Sequence, residues 1–227
     1  MSLDAGKIKG IAFDAYGTLF NIASIDFLLE QLFDDRARQV AAYWRRKQLE
    51  YTWLRTMMGR YKDFYELTRD ALYYALEATN TSATEGQVQE LMQQYYHLDA
   101  YSEVKGALAR LKGRYRLAIL SNANPSLLER AAAYNGLDEL LDEIISADQI
   151  RQYKPAPGVY QLAEKGLKLP AENLLFVSSN TWDVSGAAAY GLQTAWVQRG
   201  YSTMEHLEVA PAVTASNLEE LAELLMS

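Results

Sequence analysis

Five short runs, IKGIAF (8–13), RLAIL (116–120), DEIIS (142–146), NLLFVS (173–178) and QTAWV (193–197), constrain this chain more than any other feature of it. Several have the Ile and Val content of strands buried on both faces of a parallel sheet. Helix-like stretches separate the later ones. PSLLERAAAYNG ends on a Gly suited to a C-terminal cap, and PAPGVYQLAEKG carries prolines where a helix can begin. Strands alternating with helices need crossover connections, which predicts an α/β chain with a Rossmann-like, doubly wound, mostly parallel sheet.

Residues 21–100 interrupt that rhythm. RARQVAAYWRRKQLEYTWLRTMM, FYELTRDALYYALEA and TEGQVQELMQQYYHL are helical by composition and period. They predict an inserted helical cap domain over 21–100, with 1–20 and 101–227 forming the α/β core. A chain of 227 residues, 49% of them hydrophobic, can bury a substantial core in such an arrangement.

The charge balance narrows the partners. A net charge of -7 and a pI near 5.0 provide no basic face for nucleic acid or an anionic membrane. A small anionic substrate remains compatible, because a few local cations outweigh the global sign. With no Cys, disulfides and thiolate catalysis are excluded, and His97 and His206 stand outside every motif. No signal-peptide pattern occurs at MSLDAGKIKG and no apolar run is of bilayer length, so the expected location is cytoplasmic.

The strand ends carry the chemistry. Asp14 closes the first strand and is followed by the turn AYGT, where backbone N–H groups of Ala15 and Tyr16 can face an anion. In open α/β sheets ligands bind outside the carboxyl ends of strands. Asp14 as a simple turn residue is the plain alternative. The second strand ends at Ser121 and Asn122, which could merely cap the helix at Pro125. Lys154 precedes a proline, and the fourth strand leads into Ser178, Asn180, Trp182 and Asp183, the last of which also suits the first turn of a helix. Such residues at successive strand ends favour an active site.

Together the segments FDAYGTLF, LSNAN, YKPAPGVY and FVSSNTWD resemble the haloacid dehalogenase superfamily, most of whose members are phosphatases that hold Mg²⁺ with carboxylates. Two acidic positions of that pattern are missing: Tyr16 stands two residues after Asp14, and Ser178 and Ser179 replace a Gly-Asp pair. Asp14, Asp183 and Lys154 read better as a metal-free set. With WRRKQLEYTWLR added, the chain resembles the L-2-haloacid dehalogenases over most of its length.

That resemblance implies no cofactor and no metal, a small halogenated carboxylic acid as substrate, and a halide and a 2-hydroxy acid as products. Asp14 would be the nucleophile, forming an aspartyl ester with inversion at the attacked carbon. Lys154 would keep it ionised and oriented. Ser121 and the amides of Ala15 and Tyr16 would bind the substrate carboxylate, with Arg45 and Asn122 receiving the halide. Thr18, Tyr160, Ser178, Asn180 and Asp183 would support Asp14, the last three also serving the hydrolytic water. Tyr16, Leu49, Phe64 and Trp182 would form the apolar pocket. Leu49 and Trp53 follow Arg45 at helical spacing, and by period alone all three also fit a surface charge above core residues. Arg46 would matter if it faced the cleft. A Mg²⁺-dependent phosphatase and a non-catalytic protein on the same fold are the competing readings. Relatives commonly pair through the cap, and its Tyr43, Trp44, Tyr51, Trp53, Leu54, Met57 and Met58 predict a homodimer.

Overall fold

The computed structural model describes residues 3–200 and 202–227. Strand β1 (Gly10–Phe13) leads into four helices, α1 (Ala23–Phe33), α2 (Ala37–Met57), α3 (Phe64–Ala78) and α4 (Glu85–Gln93). The chain then alternates: α5 (Val104–Leu111), β2 (Arg116–Ser121), α6 (Pro125–Tyr134), β3 (Glu143–Ser146), α7 (Pro157–Leu167), β4 (Leu174–Ser178), α8 (Thr181–Tyr190), β5 (Gln193–Val197), β6 (Val213–Ala215) and α9 (Leu218–Met226).

Among the described residues the six strands of the sheet all pair in parallel, in the order β3-β2-β1-β4-β5-β6. Strand β1 therefore lies inside the sheet, where successive connections turn to opposite sides, and its carboxyl end opens onto the crevice that such an order creates. The two-residue period of the strands supplies two cores. Ile11, Phe13, Leu117, Ile119, Leu175 and Val177 pack on the side of α5, α6 and α9. Ala12, Ala118, Leu120, Leu174 and Phe176 face α7 and α8. Both faces are covered, which is why these strands read as nearly continuous apolar runs.

Helices α2 and α3 pack along the insertion. Val40, Trp44, Gln48 and Thr52 are buried at four-residue intervals on α2, and Trp44 Nε1 donates to the Thr68 carbonyl of α3 at 2.8 Å. Asp63 caps α3 by accepting from Glu66 N–H at 3.0 Å, while Thr84 and Gln87 form a capping box on α4. Four elements lie outside the runs and helical stretches quoted from the sequence, α1, α5, α9 and the edge strand β6, and α8 is met there only at its first turn.

Candidate active site

Asp14 leaves β1 at the sheet's centre and is 7% exposed. Gly17 follows at φ +80, a conformation that favours glycine and lets the chain fold back so that its N–H bonds the Phe20 carbonyl at 2.8 Å. That turn brings Thr18 back over the strand end, where its hydroxyl donates to Asp14 Oδ2 at 3.1 Å. Ser178, at the end of neighbouring β4, donates to the same oxygen at 3.2 Å, and Asn180 Nδ2 does so at 2.8 Å. Three neutral donors thus converge on Oδ2.

The other oxygen faces a cation. Lys154 Nζ lies 3.1 Å from Asp14 Oδ1 and 2.8 Å from Asp183 Oδ2. Lys154 is 1% exposed and Asp183 fully buried. Burial disfavours the ammonium, but the two carboxylates outweigh it and hold the Lys154 pKa above its ordinary value. For Asp183 burial dominates, reinforced by Asp14 and opposed by Lys154 and by the Tyr160 hydroxyl, and its pKa is pushed up to about 6. Tyr160 donates to Asp183 Oδ1 at 2.8 Å from α7. Burial, and then the neighbouring Asp183, push the phenol well above its usual range, so it stays a donor.

Arg45 reaches this network from α2. Its Nη2 donates to Asn180 Oδ1 at 3.2 Å and its Nη1 to Gln48 Oε1 at 2.8 Å. Asp14, Thr18, Arg45, Lys154, Tyr160, Ser178, Asn180 and Asp183 therefore share one hydrogen-bonded cluster. Asn122 joins it through the backbone, accepting from Lys154 N–H at 2.8 Å. Ser121 sits at the neighbouring end of β2, where its hydroxyl accepts from Ala123 N–H at 3.2 Å. Neither caps α6, whose N-cap is Asn124, with Pro125 opening the helix. Asp183 does occupy the first turn of α8, so helix geometry and the Lys154 contact coincide there. Among the described residues the N–H groups of Ala15 and Tyr16 donate to no protein acceptor and remain free for an anion.

The aromatic candidates divide. The Tyr16 ring stacks on Phe64, with centroids 6.1 Å apart, and meets Tyr95 edge-on at 5.5 Å. Trp182 meets Trp53 edge-on at 5.8 Å, and both line a groove with Pro155 and Pro157 beside α8. Leu49 is half-buried one turn beyond Arg45 and is not part of the polar cluster. Arg46 is exposed and lies over the Tyr43 ring, 4.7 Å from its centroid, so it does not add a cation to the Asp14 cluster.

Three residues that carry no role in the sequence reading support the site. Ser179 donates its N–H to Thr18 Oγ1 at 2.9 Å and its hydroxyl to the Gly17 carbonyl at 2.7 Å, pinning the turn after Asp14. Arg199 donates to the Thr18 carbonyl at 2.7 Å, pairs with Glu103 at 2.6 Å and covers Tyr101. Gln48 holds Arg45. Ser179 lies inside the quoted FVSSNTWD, whereas nothing local to Arg199 or Gln48 signals a contact with a distant turn or cation.

As a divalent-metal site the cluster is poor. Mg²⁺ wants a near-octahedral set of oxygens, but the Lys154 ammonium lies between the two carboxylates. Tyr16 is turned into an aromatic cluster instead of supplying a ligand. Among the described residues no three acidic or His side chains converge.

A parallel doubly wound sheet with a strand-end Asp, a bridging Lys and an inserted helical segment defines a hydrolase class. The model of the haloacid dehalogenase-like hydrolases matches residues 8–191, and the chain belongs to that family. It is 41% identical over 220 residues to (S)-2-haloacid dehalogenase 2 of Pseudomonas sp. strain CBS-3, covering 96% of each chain. It is 40% identical over 218 residues to the (S)-2-haloacid dehalogenase of Pseudomonas sp. strain YL, covering 96% of this chain and 94% of the relative. The L-2-haloacid dehalogenase of Xanthobacter autotrophicus, solved with chloropropionic acid covalently bound, superposes with a TM-score of 0.91 at 34% identity, over 97% of this chain and 99% of that one.

Proposed function

We propose that this chain is a metal-independent (S)-2-haloacid dehalogenase that hydrolyses short L-2-haloalkanoic acids and haloacetates. The observation that carries this reading is the Asp14 carboxylate, oriented by Lys154 on one oxygen and by three neutral donors on the other. A fixed carboxylate with a cation beside it is suited to in-line attack on carbon.

In the first step an Asp14 oxygen bonds to C2 while the carbon–halogen bond breaks and its electron pair leaves with the halide. C2 inverts. The substrate carboxylate is received by Ser121 and the free N–H groups of Ala15 and Tyr16. The halide is received by Arg45 and Asn122, and the alkyl group by Tyr16, Leu49, Phe64 and Trp182. In the second step water attacks the ester carbonyl of Asp14. We assign the ester to Oδ1, so that the developing oxyanion falls on Oδ2, where Thr18, Ser178 and Asn180 already donate. Asp183, with its raised pKa, takes the proton of the attacking water. Collapse breaks the ester C–O bond, the departing alkoxide takes the proton back from Asp183 to give a 2-hydroxy acid of opposite configuration, and Asp14 returns to the carboxylate as the second proton of the water passes to solvent.

The helical segment 21–100 acts as a cap that delivers Arg45 to the cleft. We also infer a homodimer through this cap, supported by Met57 and Met58, which are 75% and 61% exposed beside exposed Leu54. Light scattering showing a monomer at micromolar concentration refutes the dimer.

Halide release from (S)- and (R)-2-chloropropionate in the presence of EDTA tests the main reading. Release from the S form alone is expected. No release from either, with Mg²⁺-dependent turnover of a phosphate ester, overturns it. A single turnover in ¹⁸O-water separates the routes: label in Asp14 supports the ester, and label directly in the hydroxy acid removes it.

A further inference from the structure

We infer that Gln48 is a positioning residue that holds Arg45 against the leaving halide without neutralising it. The inference rests on the displacement reading above. Gln48 is 1% exposed and occupies the buried stripe of α2 between Trp44 and Thr52. A buried carboxamide costs stability unless all of its polar atoms are bonded. Here they are. Oε1 accepts from Arg45 Nη1 at 2.8 Å, while Nε2 donates to Thr68 Oγ1 at 2.8 Å and to Tyr95 Oη at 3.1 Å. The reversed amide would set NH₂ against a guanidinium N–H, so Arg45 fixes the orientation.

The charge of Gln48's group is as informative as its geometry. Both side-chain acceptors of Arg45, Gln48 Oε1 and Asn180 Oδ1, are neutral carboxamides. Among the described residues no carboxylate comes within ion-pair distance of Arg45. A Glu at position 48 would satisfy the same N–H but would cancel much of the cation's field. The amide aims the guanidinium and leaves its charge for an anion. Negative charge on the halogen builds only as the C–X bond breaks, so an unpaired cation stabilises that transition state more than the bound substrate. Chloride, the poorer leaving group with the more concentrated charge, depends on this more than bromide.

The test compares kcat/KM for 2-chloropropionate and 2-bromopropionate in the wild type, Gln48→Glu, Gln48→Met and Thr68→Val, with thermal melts of each. Since kcat/KM ends at the first irreversible step, it reports displacement and not ester hydrolysis. We expect Gln48→Glu to lose roughly tenfold to a hundredfold on chloride, the range seen when a group orienting a functional ligand is removed. It should lose less on bromide, so the bromide-to-chloride ratio rises. Gln48→Met should move the ratio the same way. Thr68→Val, which loosens Gln48 without touching Arg45, should do so more weakly and keeps the test alive if Gln48→Met does not fold. A folded Gln48→Glu enzyme with the wild-type ratio overturns the role, whether or not its overall rate falls. A wild type that releases no halide overturns the dehalogenase reading, and the role of Gln48 with it.

Discussion

Nη2 of Arg45 lies 3.2 Å from Oδ1 of Asn180, and Nδ2 of the same carboxamide lies 2.8 Å from Oδ2 of Asp14. One side chain of the sheet domain thus reads both the cation of the helical insertion and the nucleophile. Any movement of α2 that withdraws Arg45 also frees one end of Asn180.

Arg45→Lys should therefore cost more than a conservative exchange suggests. A lysine keeps the charge but not the planar fork that engages Gln48 and Asn180 together. We expect kcat/KM for 2-chloropropionate to fall about a hundredfold, the scale for losing one preorganised donor. An unchanged melting temperature would assign the loss to geometry.

Removing the bridging ammonium should be expensive for the fold. Lys154→Met leaves Asp14 and Asp183 buried without their shared cation, a situation that costs about 3–5 kcal/mol. Activity should vanish. Lys154→Met combined with Asp183→Asn should regain part of the melting temperature without regaining turnover, and a double variant no more stable than the single would count against charge as the cause.

The raised pKa of Asp183 fixes a pH window. Below pH about 6 the folded protein holds a proton there that the unfolded chain releases down to the ordinary value of 3.8. This group therefore adds stability as pH falls from about 6 towards 4, and that contribution is lost as pH rises through 6. Urea denaturation of wild type and Asp183→Asn, subtracted at each pH, should show that slope. Ester hydrolysis should run the other way, because protonated Asp183 cannot take a proton from water. At pH 5, rapid quench should find a stoichiometric halide burst with slow release of hydroxy acid; equal slowing of both steps would remove Asp183 as the base.

Gly186→Ala probes the support behind Asp183. A Cβ there would sit 2.5 Å from the Tyr160 hydroxyl and 2.6 Å from Pro155 Cβ. The helix-propensity gain of about 1 kcal/mol should be outweighed by an overpacking cost of about 1–3 kcal/mol. Adding Tyr160→Phe removes the nearer clash and should restore part of the melting temperature. A more stable Gly186→Ala protein would mean that α8 moves freely.

The central sheet is legible in the sequence because β1, β2 and β4 are buried on both faces and must be apolar throughout. Strand β6, three residues at the sheet edge, carries no such pattern. At the site, Asp14 stands out as a carboxylate at the end of β1 and Asp183 as one in the motif that leads from β4 into α8, and their neighbours follow from the motifs around them. Gln48 does not stand out. At four-residue spacing from Trp44 and Thr52 it looks like an interruption in a core stripe, and its bond to Arg45 depends on where α3 and Tyr95 lie. The outward turn of Arg46 over Tyr43 likewise depends on a side-chain direction that periodicity does not resolve.

Apart from Thr18, the donors to Asp14 come from far along the chain: Lys154, Ser178 and Asn180 lie 140, 164 and 166 residues away, on different sides of β1. Their meeting requires the sheet to be threaded in its final order with the late strand β4 already in place. A nascent or half-folded chain holds only a solvated aspartate with little power to attack carbon. Under the chemistry proposed above, the substrate becomes a census of assembled molecules, since only a chain whose strand β4 has docked beside β1 can be alkylated at Asp14.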